Sequence, residues 1–135
     1  MEHWYKRKHM LKKIAISYTV VIILLSILPI NSGDSVLNDR FILSIRMDYV
    51  VHFALFIPWM LLIWIFTGAR FNDTPVKAFG WVLAGLILAV SSEYLQYFLP
   101  YRAFNINDLA ANSMGVLLGS VFFFFKKPGF TGDRG

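Results

Sequence analysis

The chain has 135 residues, of which 57% are hydrophobic and only 16% charged, with a net charge of +5 and no cysteine. So little polar surface cannot cover the apolar residues of a soluble domain in water, and the missing thiols exclude disulfide staples, thiolate metal sites and cysteine nucleophiles. The composition is that of a membrane protein.

Four apolar runs follow in chain order, at residues 14–30, 50–67, 79–99 and 109–125. At about 1.5 Å per residue the shortest reaches roughly 25 Å, so each can cross a hydrocarbon core of about 30 Å with help from its flanks. In lipid the backbone must satisfy its own hydrogen bonds, and the chain lacks the alternating segments of a closed barrel. The expected fold is therefore all-α: a polytopic membrane protein, a compact bundle of four transmembrane helices forming one domain over residues 1–135.

The first run follows Lys12 and Lys13, as the apolar core of a secretory signal would, but Pro29, Ile30 and Asn31 offer no small residues for cleavage. It is expected to remain as helix one. The connection 31–47 opens on the turn former Asn31-Ser32-Gly33-Asp34 and continues through Phe41, Ile42, Leu43 and Ile45, apolar enough to lie along the membrane surface and cover a site. Between helices two and three, Asn72-Asp73-Thr74-Pro75 is a turn and helix-start signal. Helix four carries Ala111, Gly115 and Gly119 at small-xxx-small spacing, which predicts close packing on helix two or three, a homodimer being the other use of such a stripe. Phe122 to Phe125, before Lys126 and Lys127, reads as a lipid-facing aromatic belt, and Trp59, Trp64 and Trp81 read the same way.

Charge sets the expected orientation. Lys6, Arg7, Lys8, Lys12, Lys13, Arg70, Lys77, Lys126, Lys127 and Arg134 fall on one side of such a bundle, and Arg40, Arg46 and Arg102 on the other. The positive-inside rule then puts both termini, including the tail 126–135, in the cytoplasm of a plasma-membrane protein. Basic residues scattered at helix ends, without a recognition motif, exclude nucleic acid as a partner.

Against this background a polar set stands out. Asp48 and His52 are i and i+4, Glu93 and Gln96 are i and i+3, and Asp108 and Asn112 are i and i+4, so each helix offers a two-residue polar patch on one face. His52 and Asn112 lie roughly 6 Å, and Glu93 roughly 9 Å, inside the outer ends of their helices. Ionisable groups at such depths cost about 2.5 to 3.5 kcal/mol on insertion scales unless they face protein or water. Asp48 and Asp108, at helix starts, also suit the capping of amides, and polar residues at depth also serve as interhelical glue. Asp48 is placed to orient His52 as a base, Glu93 to act as an acid, and Arg102, in the turn Pro100-Tyr101-Arg102, to meet a phosphate or carboxylate.

In their order these residues resemble the signature of VanZ-like membrane proteins: Asp48-Tyr-Val-Val-His52-Phe53, Glu93-Tyr-Leu-Gln96, then Arg102-x5-Asp108-x3-Asn112-x2-Gly115-x3-Gly119. Tyr49 stands where that family often has a lysine, and Asn105 where an acidic or small polar residue is frequent. The resemblance implies an association with resistance to glycopeptide antibiotics of the teicoplanin type.

Three functions follow as expectations. In the first, an outer-leaflet pocket lined by His52, Glu93, Gln96, Asp108 and Asn112, with Arg102 at its mouth, engages a membrane lipid, a lipidated glycopeptide or an envelope precursor. In the second, His52, Asp48 and Glu93 are catalytic residues of a membrane-embedded enzyme acting on an amphiphile, with Gln96, Arg102, Asp108 and Asn112 binding it. In the third, the layer is packing within a structural membrane subunit. No cofactor is expected. A cation held by Asp48, His52, Glu93 and Asp108 is conceivable chemically, but no HExxH or comparable compact motif supports it, so no metal ligand is assigned.

Overall fold

The computed structural model describes residues 2–27, 41–42, 45–100 and 104–125. Four helices are long and apolar enough to cross a membrane. They are α1 (Glu2–Ile27), α2 (Met47–Thr67), α3 (Pro75–Tyr97) and α4 (Ile106–Gly119), the last extended by a 3-10 segment, Ser120–Phe124. Just before α2, β1 (Phe41–Ile42) and β2 (Ile45–Arg46) form a two-residue antiparallel ladder that pairs Phe41 with Arg46. Most of the 31–47 connection, the Arg102 turn and the 126–135 tail lie outside the described residues.

The helices begin earlier than the apolar runs because their first turns are polar. Glu2 to Lys13 continue α1 backwards, Met47 and Asp48 open α2, and Pro75 occupies the first turn of α3, where its missing amide costs nothing. Thr74 precedes α3, yet its hydroxyl accepts from Arg70 N (2.9 Å) and ties the turn to itself instead of capping the helix. Asn105 caps α4: its side chain accepts from Asn107 N (3.0 Å) while its backbone is extended. α2 ends at Gly68, whose φ of 64° closes the helix through Gly68 N to Trp64 O (2.8 Å).

Partners place α2 at the centre. Gly115 and Gly119 of α4 bring that helix onto α2 so closely that a methyl on Gly115 would overlap the Phe53 carbonyl, and one on Gly119 would stand 2.6 Å from Met60 Cβ. The small-residue stripe is thus used inside the monomer. Its successive partners, His52 with Asn112, Phe53 with Gly115 and Met60 with Gly119, show α2 and α4 running parallel. α3 runs antiparallel between them in sequence, with Glu93 against Asn112 and Gly85 against Val116. α1 is held to α2 by Trp59 Nε1, which donates to Thr19 Oγ1 (2.8 Å), and by the Tyr18 hydroxyl, which donates to the Leu55 carbonyl (3.0 Å).

Two aromatic expectations are corrected by this packing. Trp59 and Trp64 are buried, and Phe123 is completely enclosed where Phe71 meets it edge-on at 5.9 Å. Phe71 N also donates to Phe123 O (3.1 Å), so the aromatic end of α4 clamps the α2–α3 connection, and only Phe124 and Phe125 of the four-residue run are exposed. Along α3 the outward stripe is Val76, Phe79, Leu83, Ile87, Val90 and Tyr94, whereas the buried stripe is Ala78, Gly85, Ala89, Ser92, Glu93 and Gln96. Large apolar side chains face outward and small or polar ones inward, the arrangement expected when lipid is the solvent.

Candidate functional site

The antiparallel packing gathers the start of α2, the end of α3 and the start of α4 at one end of the bundle. Asp48 is the second residue of α2, buried, with Oδ1 accepting from Tyr49 N (3.0 Å). His52 follows one turn deeper. Glu93 and Gln96, in the last turns of α3, are both buried, as is Ser92, whose hydroxyl donates to Ala89 O (2.8 Å). Asp108 lies in the first turn of α4, where the positive end of the helix favours a carboxylate, and Asn112 lies one turn below. Asn107 Nδ2 reaches the Tyr49 hydroxyl (3.4 Å) and bridges α2 and α4 above the layer.

Within the layer the hydrogen bonds have a direction. Asn112 Nδ2 donates to Glu93 Oε1 (3.0 Å), which leaves Asn112 Oδ1 as the acceptor facing His52 Nδ1 (3.2 Å). Nδ1 must then carry the proton, and in the neutral ring Nε2 keeps its lone pair. Nε2 lies 3.9 Å from Asp108 Oδ2, while Nδ1 lies 3.8 Å from Glu93 Oε1. A separation of 3.9 Å is too long for a direct hydrogen bond.

Six of the expected residues therefore converge: Asp48, His52, Glu93, Gln96, Asp108 and Asn112 share one end of the bundle, and four of them share one cluster. Asn112 of α4 is a partner of the His52 ring that tertiary packing supplies and that i, i+4 spacing along α2 does not indicate. Asp108 is likewise not the cap of its helix, since Asn105 takes that place. Arg102 lies outside the described residues. The sequence reading missed Ser92 and the Asn107–Tyr49 bridge. The Asn-x-Asn-Asp start of α4 was the available signal for the cap at Asn105.

The side-chain exposures differ in a way that matters for access: Glu93 is at 0% and Asp108 at 8%, but His52 is at 13%. The imidazole is the part of this cluster most open to the surroundings. Burying two carboxylates in an apolar span is costly, and Asn112 Nδ2 offsets part of that cost at Glu93 Oε1 (3.0 Å).

An uncharacterized protein of Schizosaccharomyces pombe is 32% identical over 72 residues, which is 53% of this chain and 43% of that relative; the chain thus spans less than half of its length. No solved structure matches the chain. The model of the VanZ/LLP1 family matches residues 4–127, nearly the whole chain, including all four spans and every residue of the polar layer. The chain belongs to the VanZ/LLP1 family and is a VanZ-like multi-pass membrane protein.

Proposed function

We propose that the polar layer receives the polar head of an envelope amphiphile, whether a membrane lipid, a lipidated glycopeptide or an envelope precursor, in the outer leaflet of the plasma membrane. Through it the protein contributes to glycopeptide resistance of the teicoplanin type. The observation that carries this reading is the cluster of Glu93, Asn112, His52 and Asp108 from three helices, with His52 its most accessible member. Such a layer, with apolar helix faces below it, matches a molecule having a polar head and an acyl chain. The distribution of Lys and Arg supports the outer-leaflet assignment and cytoplasmic termini.

Native mass spectrometry of the protein purified in mild detergent tests the reading. A specific lipid or antibiotic adduct is expected in the wild type and its loss in Glu93→Gln and His52→Ala. Full retention of the adduct in both folded variants, or undiminished resistance in cells carrying them, overturns it.

One observation favours an enzyme as the second reading. The Glu93–Asn112–His52 relay holds Nε2 as a base beside a carboxylate, with the ring the most accessible member of the cluster. Incubating host lipid extract with the protein in 18O-water distinguishes the two readings. Label entering a product, and absent with His52→Ala, supports hydrolysis; no label leaves the binding reading.

A further inference from the structure

We propose that His52, Glu93 and Asp108 form a binding site for a divalent transition-metal cation of the zinc class. One ligand atom from each of the three lies within 4.8 Å of the others. The three side chains come from α2, α3 and α4, so helix packing prearranges the donors.

The donor set selects the ion. One imidazole with two carboxylates suits zinc and its first-row neighbours, whereas calcium and magnesium favour oxygen throughout. The direction of the hydrogen bonds selects the atom: Nδ1 is committed to Asn112 Oδ1, which leaves Nε2, 3.9 Å from Asp108 Oδ2, as the ring's donor to a cation. Two ligands at about 2.1 Å from a tetrahedral centre stand roughly 3.4 Å apart, so a small inward movement of either side chain completes the pair. Asn112 also holds Glu93 Oε1 (3.0 Å), and one amide thereby orients two ligands, the role that outer hydrogen bonds play around metal-bound histidines.

Three protein ligands leave a fourth position open, the feature that separates catalytic from structural zinc sites. That position would accept a phosphate or carboxylate oxygen of an amphiphile's head. The inference deepens the head-group reading and rests on it only for what fills the fourth position, since cation binding is measured without any amphiphile.

The test uses the full chain without an affinity tag, carrying His3→Gln and His9→Gln to remove the other two histidines, stripped with chelator and titrated with Zn2+ alone. One equivalent per chain is expected. Affinity should fall about 10-fold to 100-fold in Asn112→Ala, and saturable binding should be lost in His52→Gln and in Asp108→Asn, with Lys77→Ala, at the other end of the bundle, unchanged. Because a variant can fail to fold, 15N-histidine NMR of the otherwise wild-type chain gives a second readout, in which the His52 Nε2 resonance should move on addition of Zn2+. Absence of saturable binding, binding retained in all three site variants, or an unmoved Nε2 resonance overturns the proposal. A lipid adduct without cation binding would remove the metal and leave the head-group reading standing; cation binding without an adduct would do the reverse.

Discussion

Asn112 has two amide ends with opposite hydrogen-bonding capacity, and the bundle uses both. The wild-type ring of His52 should therefore show the Nδ1–H tautomer in 15N NMR spectra, and Asn112→Ala should release it toward a mixture. An unchanged spectrum in that variant would show that the ring is oriented by something else. Gly115 tests packing at the same scale. Adding a methyl there forces α4 away from the Phe53 carbonyl and should cost about 1 to 3 kcal/mol, whereas Gly80→Ala, inside α3 with nothing within 4 Å of the new methyl, should raise stability by up to about 1 kcal/mol. Thermal unfolding in detergent compares the two directly. Depth and residue type marked His52, Glu93 and Asn112 from the sequence, since polar groups are conspicuous in an apolar run. The partner of His52 was not legible, because an i, i+4 aspartate and an asparagine sixty positions away are chemically equivalent candidates until the helices are packed.

At the scale of elements, hydrogen bonds from Trp59 to Thr19 and from Tyr18 to the Leu55 carbonyl join α1 to α2. Trp59→Phe should lower stability by about 0.6 kcal/mol, the mean for hydrogen bonds between membrane helices. Thr19→Val should do the same, and the double variant should cost little more than either single one if the bond is the shared cause. Additive losses in this double-mutant cycle would assign the effect to packing alone. The four spans were readable from hydropathy, but the aromatic residues were not. In water an apolar stripe marks the buried face; in lipid both faces are apolar, so Trp59, Trp64 and Phe123 gave no sign that they point inward.

For the whole molecule, four spans place the α2–α3 connection and the start of α4 on opposite sides of the membrane. The absence of cysteine allows this to be measured with single substitutions at the exposed Asn72 and Asn107. An impermeant thiol reagent applied to intact cells should label Asn107→Cys and spare Asn72→Cys, with the pattern reversed in inverted vesicles. Labelling of both from one side would contradict the four-span arrangement, and the inverse pattern would turn the bundle over. The charge distribution made this orientation readable as an expectation because it depends on composition at helix ends and not on contacts.

The parallel alignment of α2 with α4 also governs how the protein must be made. His52 is synthesised long before Asp108 and Asn112, and α4 is the least apolar of the four spans. The ribosome delivers the imidazole to the bilayer with its eventual neighbours still untranslated, and the last span gains from α2 the companions that lipid does not offer. The polar layer is thus completed only when α4 inserts, so a nascent chain stalled before α4 holds a histidine in the membrane and no site.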